Sequence, residues 1–360
     1  MVAFFSLGLA LLAAFAAATP IEKRSSPLKV ELASTSENAV VQATITNTGS
    51  SDLKVLKHGS ILSDAPIRKL EVSAGESALE FKGITMSYAL DKLTAEDYVT
   101  IPAGQSVTTT VELAGLYDLS SADSYSISAT GAFQTTHDTG SEVSIMSLSG
   151  PAAIEFESNK LDLKVDRAAA AKVESLAQKL SKRVILSGCS GSRLSAVQTA
   201  LSNTVKRAQA ASSAASSGSA TKFNEYFKTT SSSTRSNVAS RFNAIASAAS
   251  TTNSGRVTYY CTDPYGYCSS NVLAWTLPSS NIMANCDIYY SYLPSSTGSC
   301  HAQDQWSTTL HEMTHAPGVF SPGTNDNAYG YSACMGLSAS AALNNADTYA
   351  LYANAIYLGC

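Results

Sequence analysis

His311 and His315 stand four residues apart, with Glu312 directly after the first, in the run HEMTH. On an α-helix, residues i and i+4 lie one turn apart on the same face, so both imidazoles can reach one metal ion. Glu312 sits a fraction of a turn from His311, where its carboxylate can take a proton from a water held by that ion. Pro317 follows at once, so the helix is expected to end near Ala316 and the site to open into a loop. The competing reading is two ordinary histidines on a surface helix. With 5 His in 360 residues, chance gives this motif in roughly one chain in several hundred.

A catalytic zinc takes three protein ligands and leaves a fourth position for water. No Glu follows Glu312, which removes a downstream glutamate. Gly318 fits HExxHxxGxxH, but Ser321 stands where the third His belongs. His301 is more than two turns upstream on a continuous helix and out of reach. Two acids remain downstream, Asp326 and Asp347. Asp326 lies in a glycine-bounded loop, Gly323 to Gly330, that is long enough to fold back onto the metal. Asp347 stands near the start of a predicted helix, where N-capping is its ordinary role. On the residues alone both stay open.

The elements that must position these side chains belong to a chain of two unlike halves. All 7 Cys lie at or after Cys189. Of 24 Lys and Arg, 16 precede Val184, as do 21 of 28 Asp and Glu, so the first half is acidic and the second near neutral. The net charge of −4 argues for neither nucleic acid nor a membrane surface as partner. Residues 2–18 are an apolar run ending in Ala16-Ala17-Ala18, the pattern of a secretory signal peptide. From Leu28 to Leu163 the period is two, at Leu28–Leu32, Ala39–Ile45, Val107–Leu113, Ser124–Ala129 and Val143–Leu148, which predicts an antiparallel sandwich. His58 and His137 read as solvated loop residues. Ala168–Leu180 is expected to be a helix, and Lys182-Arg183 just beyond it is a dibasic pair at the composition boundary. Cleavage after Arg183 would make residues 19–183 a β-rich propeptide and 184–360 the mature domain.

In the second half Leu194, Val197, Leu201 and Val205 share a helical face, and Phe223–Phe227 and Val238–Ile245 are further amphipathic segments. Ala211–Ala220 reads as loop. Strands are expected at Arg256–Cys261, Asn271–Leu277 and Cys286–Tyr292, and helices at His301–Ala316 and Ala346–Tyr357. The class is α+β, with several helices and a small sheet beside the metal helix.

The run HEMTHAPGVFSPGTNDNAYG is similar to the deuterolysins, secreted fungal aspzincin metalloendopeptidases marked by HExxH followed by GTxDxxYG. The likeness extends from about Val184 to Cys360, and the signal and long propeptide fit it too. It implies a mainly helical zincin-like catalytic domain with one zinc ion held by His311, His315 and Asp326. Glu312 would be the general base and Tyr329 a donor to the transition state. It also implies disulfides Cys189–Cys261, Cys268–Cys286 and Cys300–Cys360, leaving Cys334 as the odd thiol. After Arg256 there is no Lys or Arg, while Asp263, Asp287, Asp304, Asp326 and Asp347 are acidic. Basic protein substrates are therefore expected, as the resemblance also implies. The product would be a secreted monomer, released by a dibasic-specific protease, that binds neither membrane nor nucleic acid. The rival from another class is a secreted, zinc-stabilised binding or effector protein with a closed metal site.

Overall fold

A computed structural model describes residues 26–136, 153–174, 189–250 and 256–360. The first half opens with β1 (Leu28–Ser34), β2 (Val40–Asn47), β3 (Leu53–Leu56), β4 (Glu71–Ala74) and β5 (Ser77–Ala78). It continues through β6 (Thr85–Tyr88), β7 (Tyr98–Ile101), β8 (Ser106–Glu112) and β9 (Ser124–Ser128). β10 (Thr130–Thr136), β11 (Ala153–Glu157), β12 (Leu161–Lys164) and the single turn α1 (Arg167–Ala170) complete it. Alternation in β1 buries Leu28, Val30 and Leu32 and exposes Lys29 and Glu31, as the period-two pattern requires. Among the described residues the first half forms, instead of the two sheets of a simple sandwich, three small antiparallel ones, ordered β1-β2-β8, β11-β10-β3-β7 and β12-β9-β4-β5. They share one apolar core that includes Val41, Ile45, Val55, Ile127 and Phe133. The helix expected at Ala168–Leu180 is, in its described part, only α1, after which i→i+3 bonds from Lys172 and Val173 tighten the chain into a turn. The signal segment, the dibasic pair, His137 and the strand expected at Val143–Leu148 lie outside the described residues.

The second half runs α2 (Gly191–Ser217), α3 (Ala220–Phe227), α4 (Ser232–Ala249), β13 (Thr258–Tyr260), β14 (Val272–Leu277) and β15 (Ile282–Asn285). It ends with α5 (Asp287–Ser291), α6 (Gln305–His315), α7 (Tyr331–Met335), α8 (Ala339–Leu343) and α9 (Ala346–Leu358). Three segments differ from expectation. Most of Ala211–Ala220 is not loop but the last turns of α2, because alanine is the best helix former and small side chains let α2 lie close against α4. There Ala211 and Ala215 are fully buried, and the Ser212 hydroxyl donates to the Ala239 carbonyl at 2.9 Å. Cys286–Tyr292 is not a strand but contains α5, with the strand β15 just before it. The metal-helix segment starts at Gln305, not His301. Asp304 caps it in a reciprocal pair with Ser307, and His301 holds a left-handed φ of 62°. α9 is packed by edge-to-face aromatic contacts of Tyr349 and Tyr352 with Phe227, which fixes the first turn that carries Asp347. All three expected disulfides are formed, and Cys334 is a buried free thiol.

The sheet beside α6 is ordered β13-β15-β14-β6, so its outer strand comes from the first half. β6 runs antiparallel to β14, pairing Thr85 with Thr276, Met86 with Trp275 and Ser87 with Ala274. No helix among the described residues is long and apolar enough to cross a membrane.

Candidate metal centre

Every residue of α6 is buried, including both histidines and Glu312. A helix so enclosed can keep polar side chains only if each finds a partner. The His311 Nδ1–H donates to Asp347 Oδ1 at 3.2 Å, and the His315 Nδ1–H donates to the Thr324 carbonyl at 2.9 Å. Both rings are thereby oriented with Nε2 free as a lone-pair donor, the arrangement that a metal-ligating histidine needs. Asp326 Oδ1 lies 3.1 Å from His311 Nε2 and 3.3 Å from His315 Nε2. These three atoms belong to the one group of His, Cys and acid side chains among the described residues whose ligand atoms all fall within 4.8 Å of one another. All three are buried without a hydrogen-bond partner among the described residues, as is Glu312 Oε1 beside them. Orphaned donors converging in this way fit a cation that takes two nitrogens and one carboxylate oxygen, the donor set that suits zinc.

The electrostatics agree. Burial acts to raise the Asp326 carboxyl, but His315 and His311 outweigh it and hold it well below the usual carboxylate range. Burial likewise opposes charge on His311, yet Asp326, Asp347 and Glu312 together raise it strongly. The pocket thus draws positive charge inward, and a bound cation satisfies that demand.

The loop that delivers Asp326 is held at both ends. Thr324 exchanges a 2.6 Å hydroxyl contact with Thr314, and its amide donates to the Thr314 carbonyl. At Gly323 the backbone presses so closely on His315 that a Cβ would fall 2.1 Å from its carbonyl oxygen. Downstream, Asn345 Oδ1 accepts from the amides of Asn327 (2.8 Å) and Ala328 (3.0 Å), which ties the loop to the start of α9. Asn345, not Asp347, occupies the N-cap position of α9, and Asp347 in its first turn accepts from His311 and from the Gly330 amide (2.5 Å). Asp347 thus meets the Nδ1 side of the His311 ring and is not among the three atoms that converge.

Glu312 is fully buried, and burial raises its carboxyl above the ordinary range. Its Oε2 accepts a 2.7 Å hydrogen bond from the Thr276 hydroxyl on β14. Sequence reasoning passed over Thr276. The available signal was a lone hydroxyl in VLAWTL, a strand buried at all six positions, where it must find an acceptor. Tyr329 lies 6.2 Å from His311, ring centroid to ring centroid, and burial raises its phenol so that it stays protonated. In this chain its hydroxyl donates to the Met86 carbonyl at 2.8 Å.

Two histidines stand apart from the centre. His301 is turned away, stacked on Tyr331 with centroids 3.8 Å apart, and its Nε2 meets the Tyr226 hydroxyl at 2.7 Å. His58 lies in the turn after β3, as expected, but it is half-buried and not simply solvated: its Nε2 sits 2.6 Å from Asp97 Oδ1, and its ring stacks on Tyr88.

The sequence matches the description Deuterolysin metalloprotease (M35) family over residues 2–360. It is 48% identical to a neutral protease 2 homolog of Botryotinia fuckeliana over 98% of both chains. It is 49% identical to a neutral protease 2 homolog of Aspergillus oryzae, covering 90% of this chain and 89% of that one. It is also 46% identical to penicillolysin of Penicillium citrinum over 95% of each. With the histidine-aspartate cluster and its neighbouring glutamate in place, the chain belongs to the deuterolysin metalloprotease family and is a zinc metalloendopeptidase.

Proposed function

We propose that the chain is a secreted preproenzyme: a signal peptide at 1–18, a propeptide at 19–183 released by cleavage after Arg183, and a catalytic domain at 184–360. The observation that carries the catalytic part is the convergence of three partnerless ligand atoms, on His311, His315 and Asp326, next to the free Oε1 of Glu312. One zinc ion held there supplies Lewis-acid polarisation of a peptide carbonyl and a water of lowered pKa. Glu312, anchored through Oε2 on Thr276, accepts the water's proton on Oε1 and returns it to the leaving amine. Tyr329, kept protonated by burial, donates to the oxygen that gains charge. Asp347 and the Thr324 carbonyl hold the two rings in register. In Glu312→Gln the zinc content stays at one per chain while turnover falls by at least ~1000-fold. Substantial retained turnover excludes Glu312 as the base.

Basic proteins are the proposed substrates, and the mature form is a monomer without membrane or nucleic-acid partners. The absence of Lys and Arg after Arg256 supports the preference for basic substrates. The acids themselves are engaged: Asp304 caps α6, Asp263 closes a turn on three amides, and Asp287 pairs with Arg193 at 2.9 Å. They act as a net field and not as contact points, so the preference should fade with salt. Equal rates on Lys-rich and Glu-rich peptides at low salt would refute it. The closed-site binding protein is less well supported, because Asp347, the best fourth ligand, is occupied by His311 and Gly330.

A further inference from the structure

β6 lies between β14 and the loop that carries Asp326 and Tyr329. Its second residue, Met86, turns both main-chain groups away from β14 and toward the metal centre. The Met86 N–H donates to Asp326 Oδ2 at 3.4 Å, and its carbonyl accepts from Tyr329 at 2.8 Å. In an extended strand the flanking residues face the opposite way. Thr85 and Ser87 accordingly face β14, and their hydroxyls also reach the Thr276 and Ala274 carbonyls. One step on, Gln303 brackets the main chain: its Nε2 donates to the Tyr88 carbonyl at 2.9 Å and its Oε1 accepts from the Leu90 amide at 3.2 Å. Apart from the Thr85 and Ser87 hydroxyls, these are contacts to backbone, available to a peptide of any sequence. Past Thr85 the path continues as an open cleft of about 650 Å³ between the halves, lined in part by Glu71, Arg241, His315 and Phe320.

We propose that β6 is a substrate mimic in cis. It fills the groove in which a peptide substrate lies antiparallel to β14, and Gln303 is a substrate-binding residue that grips the main chain of whichever strand is there. The inference rests on the peptidase reading and on cleavage after Arg183. It supplies a mechanism of latency that needs no cysteine, and the first half has none. Three further contacts seat this cover over Tyr329 or lock it beside β14. Gly59 packs on the Tyr329 ring, Gln134 accepts from its amide, and Asn271 donates to Asp97 at 3.0 Å.

The test uses the zinc-loaded full chain with Lys182→Ala and Arg183→Ala, which keeps the halves joined, beside the processed enzyme. An internally quenched peptide of about ten residues reports hydrolysis, and hydrogen exchange reports the Val272–Leu277 amides. A tethered strand at an effective concentration of ~1 mM, competing for a site of ~10 μM affinity, leaves the joined chain ~100-fold slower. Ser87→Pro, which removes a ladder N–H, should raise the joined chain's rate at least ~10-fold and speed β14 exchange. In the processed enzyme Gln303→Ala should raise KM at least ~5-fold with kcat held, since it removes binding common to ground and transition states. A joined chain as fast as the processed enzyme overturns the proposal. So does Ser87→Pro that melts cooperatively yet leaves rate and exchange unchanged. If Ser87→Pro fails to fold, an unchanged KM in Gln303→Ala is the overturning result. A processed enzyme that holds zinc but cleaves no peptide refutes the peptidase reading instead, and β6 occupancy is then decided by whether processing speeds β14 exchange.

Discussion

Replacing Thr276 by Val removes one hydroxyl and almost nothing else. Valine is β-branched and nearly isosteric, so β14 keeps its backbone and its packing against α6. The hydroxyl lies 2.7 Å from Glu312 Oε2 and 3.2 Å from the Glu312 carbonyl, and both residues are fully buried. Because Glu312 Oε1 has no partner among the described residues, the variant leaves the carboxylate without any hydrogen bond from them. A hydrogen bond to a charged group is worth ~1.5–3 kcal/mol, which converts to ~10- to 100-fold in kcat if the base loses its orientation. The Glu312 carbonyl is also among the last four of α6, so a small stability loss of ~1 kcal/mol is expected beside it. Steady-state kinetics on the processed enzyme, with zinc content by elemental analysis, reads the result. The expected pattern is reduced kcat with unchanged zinc and KM. A kcat within about two-fold of the parent, with zinc retained, would show that Thr276 does not position the base. Loss of zinc would show that it acts elsewhere.

Gly323→Ala should push the Asp326 loop off its seat, because the added Cβ meets the His315 carbonyl oxygen. Zinc affinity should fall ~10- to 100-fold, measured by competition with a chromophoric chelator. The contact of Asp97 with His58 and Thr94 should be acid-sensitive. Burial works to raise the Asp97 carboxyl, but the Thr94 amide and His58 outweigh it and hold it below its ordinary value. Its contribution to stability is therefore present above the unfolded value of ~3.9 and lost as pH falls through the folded one. Asp97→Asn should flatten the decline in melting temperature of the joined chain below about pH 4, and an unaltered acid profile would refute the linkage.

Most of the candidate cluster was legible because it is local, although the residues alone left Asp326 and Asp347 both open as its acid. His311, Glu312 and His315 sit on one helical turn, and Asp326 follows within a short glycine-bounded loop. β1, β2, β8, β9 and α9 were legible for the related reason that their periodicity lies within single segments, whereas the short strands such as β3, β6 and β7 carry too few residues to show one. What escaped is of two kinds. The end of α2 and the segment of α5 misled because composition and fold disagree there. An Ala/Ser run shows no contrast between faces although alanine favours helix, and a Tyr-rich run reads as strand although Asp287 and the buried Tyr289 belong to a helix. The other misses are pairings across the chain. His58 finds Asp97 39 residues away, and Ser87 meets Ala274 across 187 residues, separations at which no periodicity links the two positions.

That distance has a consequence for how the two halves divide the work. The three convergent ligand atoms and Glu312 all come from residues 311–326, and their supports, Thr276, Thr324, Asn345 and Asp347, also lie in the second half. The first half supplies none of these groups, only main chain and side chains laid over them. Among the described residues its removal therefore costs the centre no ligand and no proton acceptor, but it strips β14 of its outer partner and leaves the Gln303 amide and the Tyr329 hydroxyl without the acceptors they now hold. An open edge beside unsatisfied donors is what an extended polypeptide can satisfy with its own backbone. Latency and substrate binding then become the same set of hydrogen bonds, made first to one strand and afterwards to another.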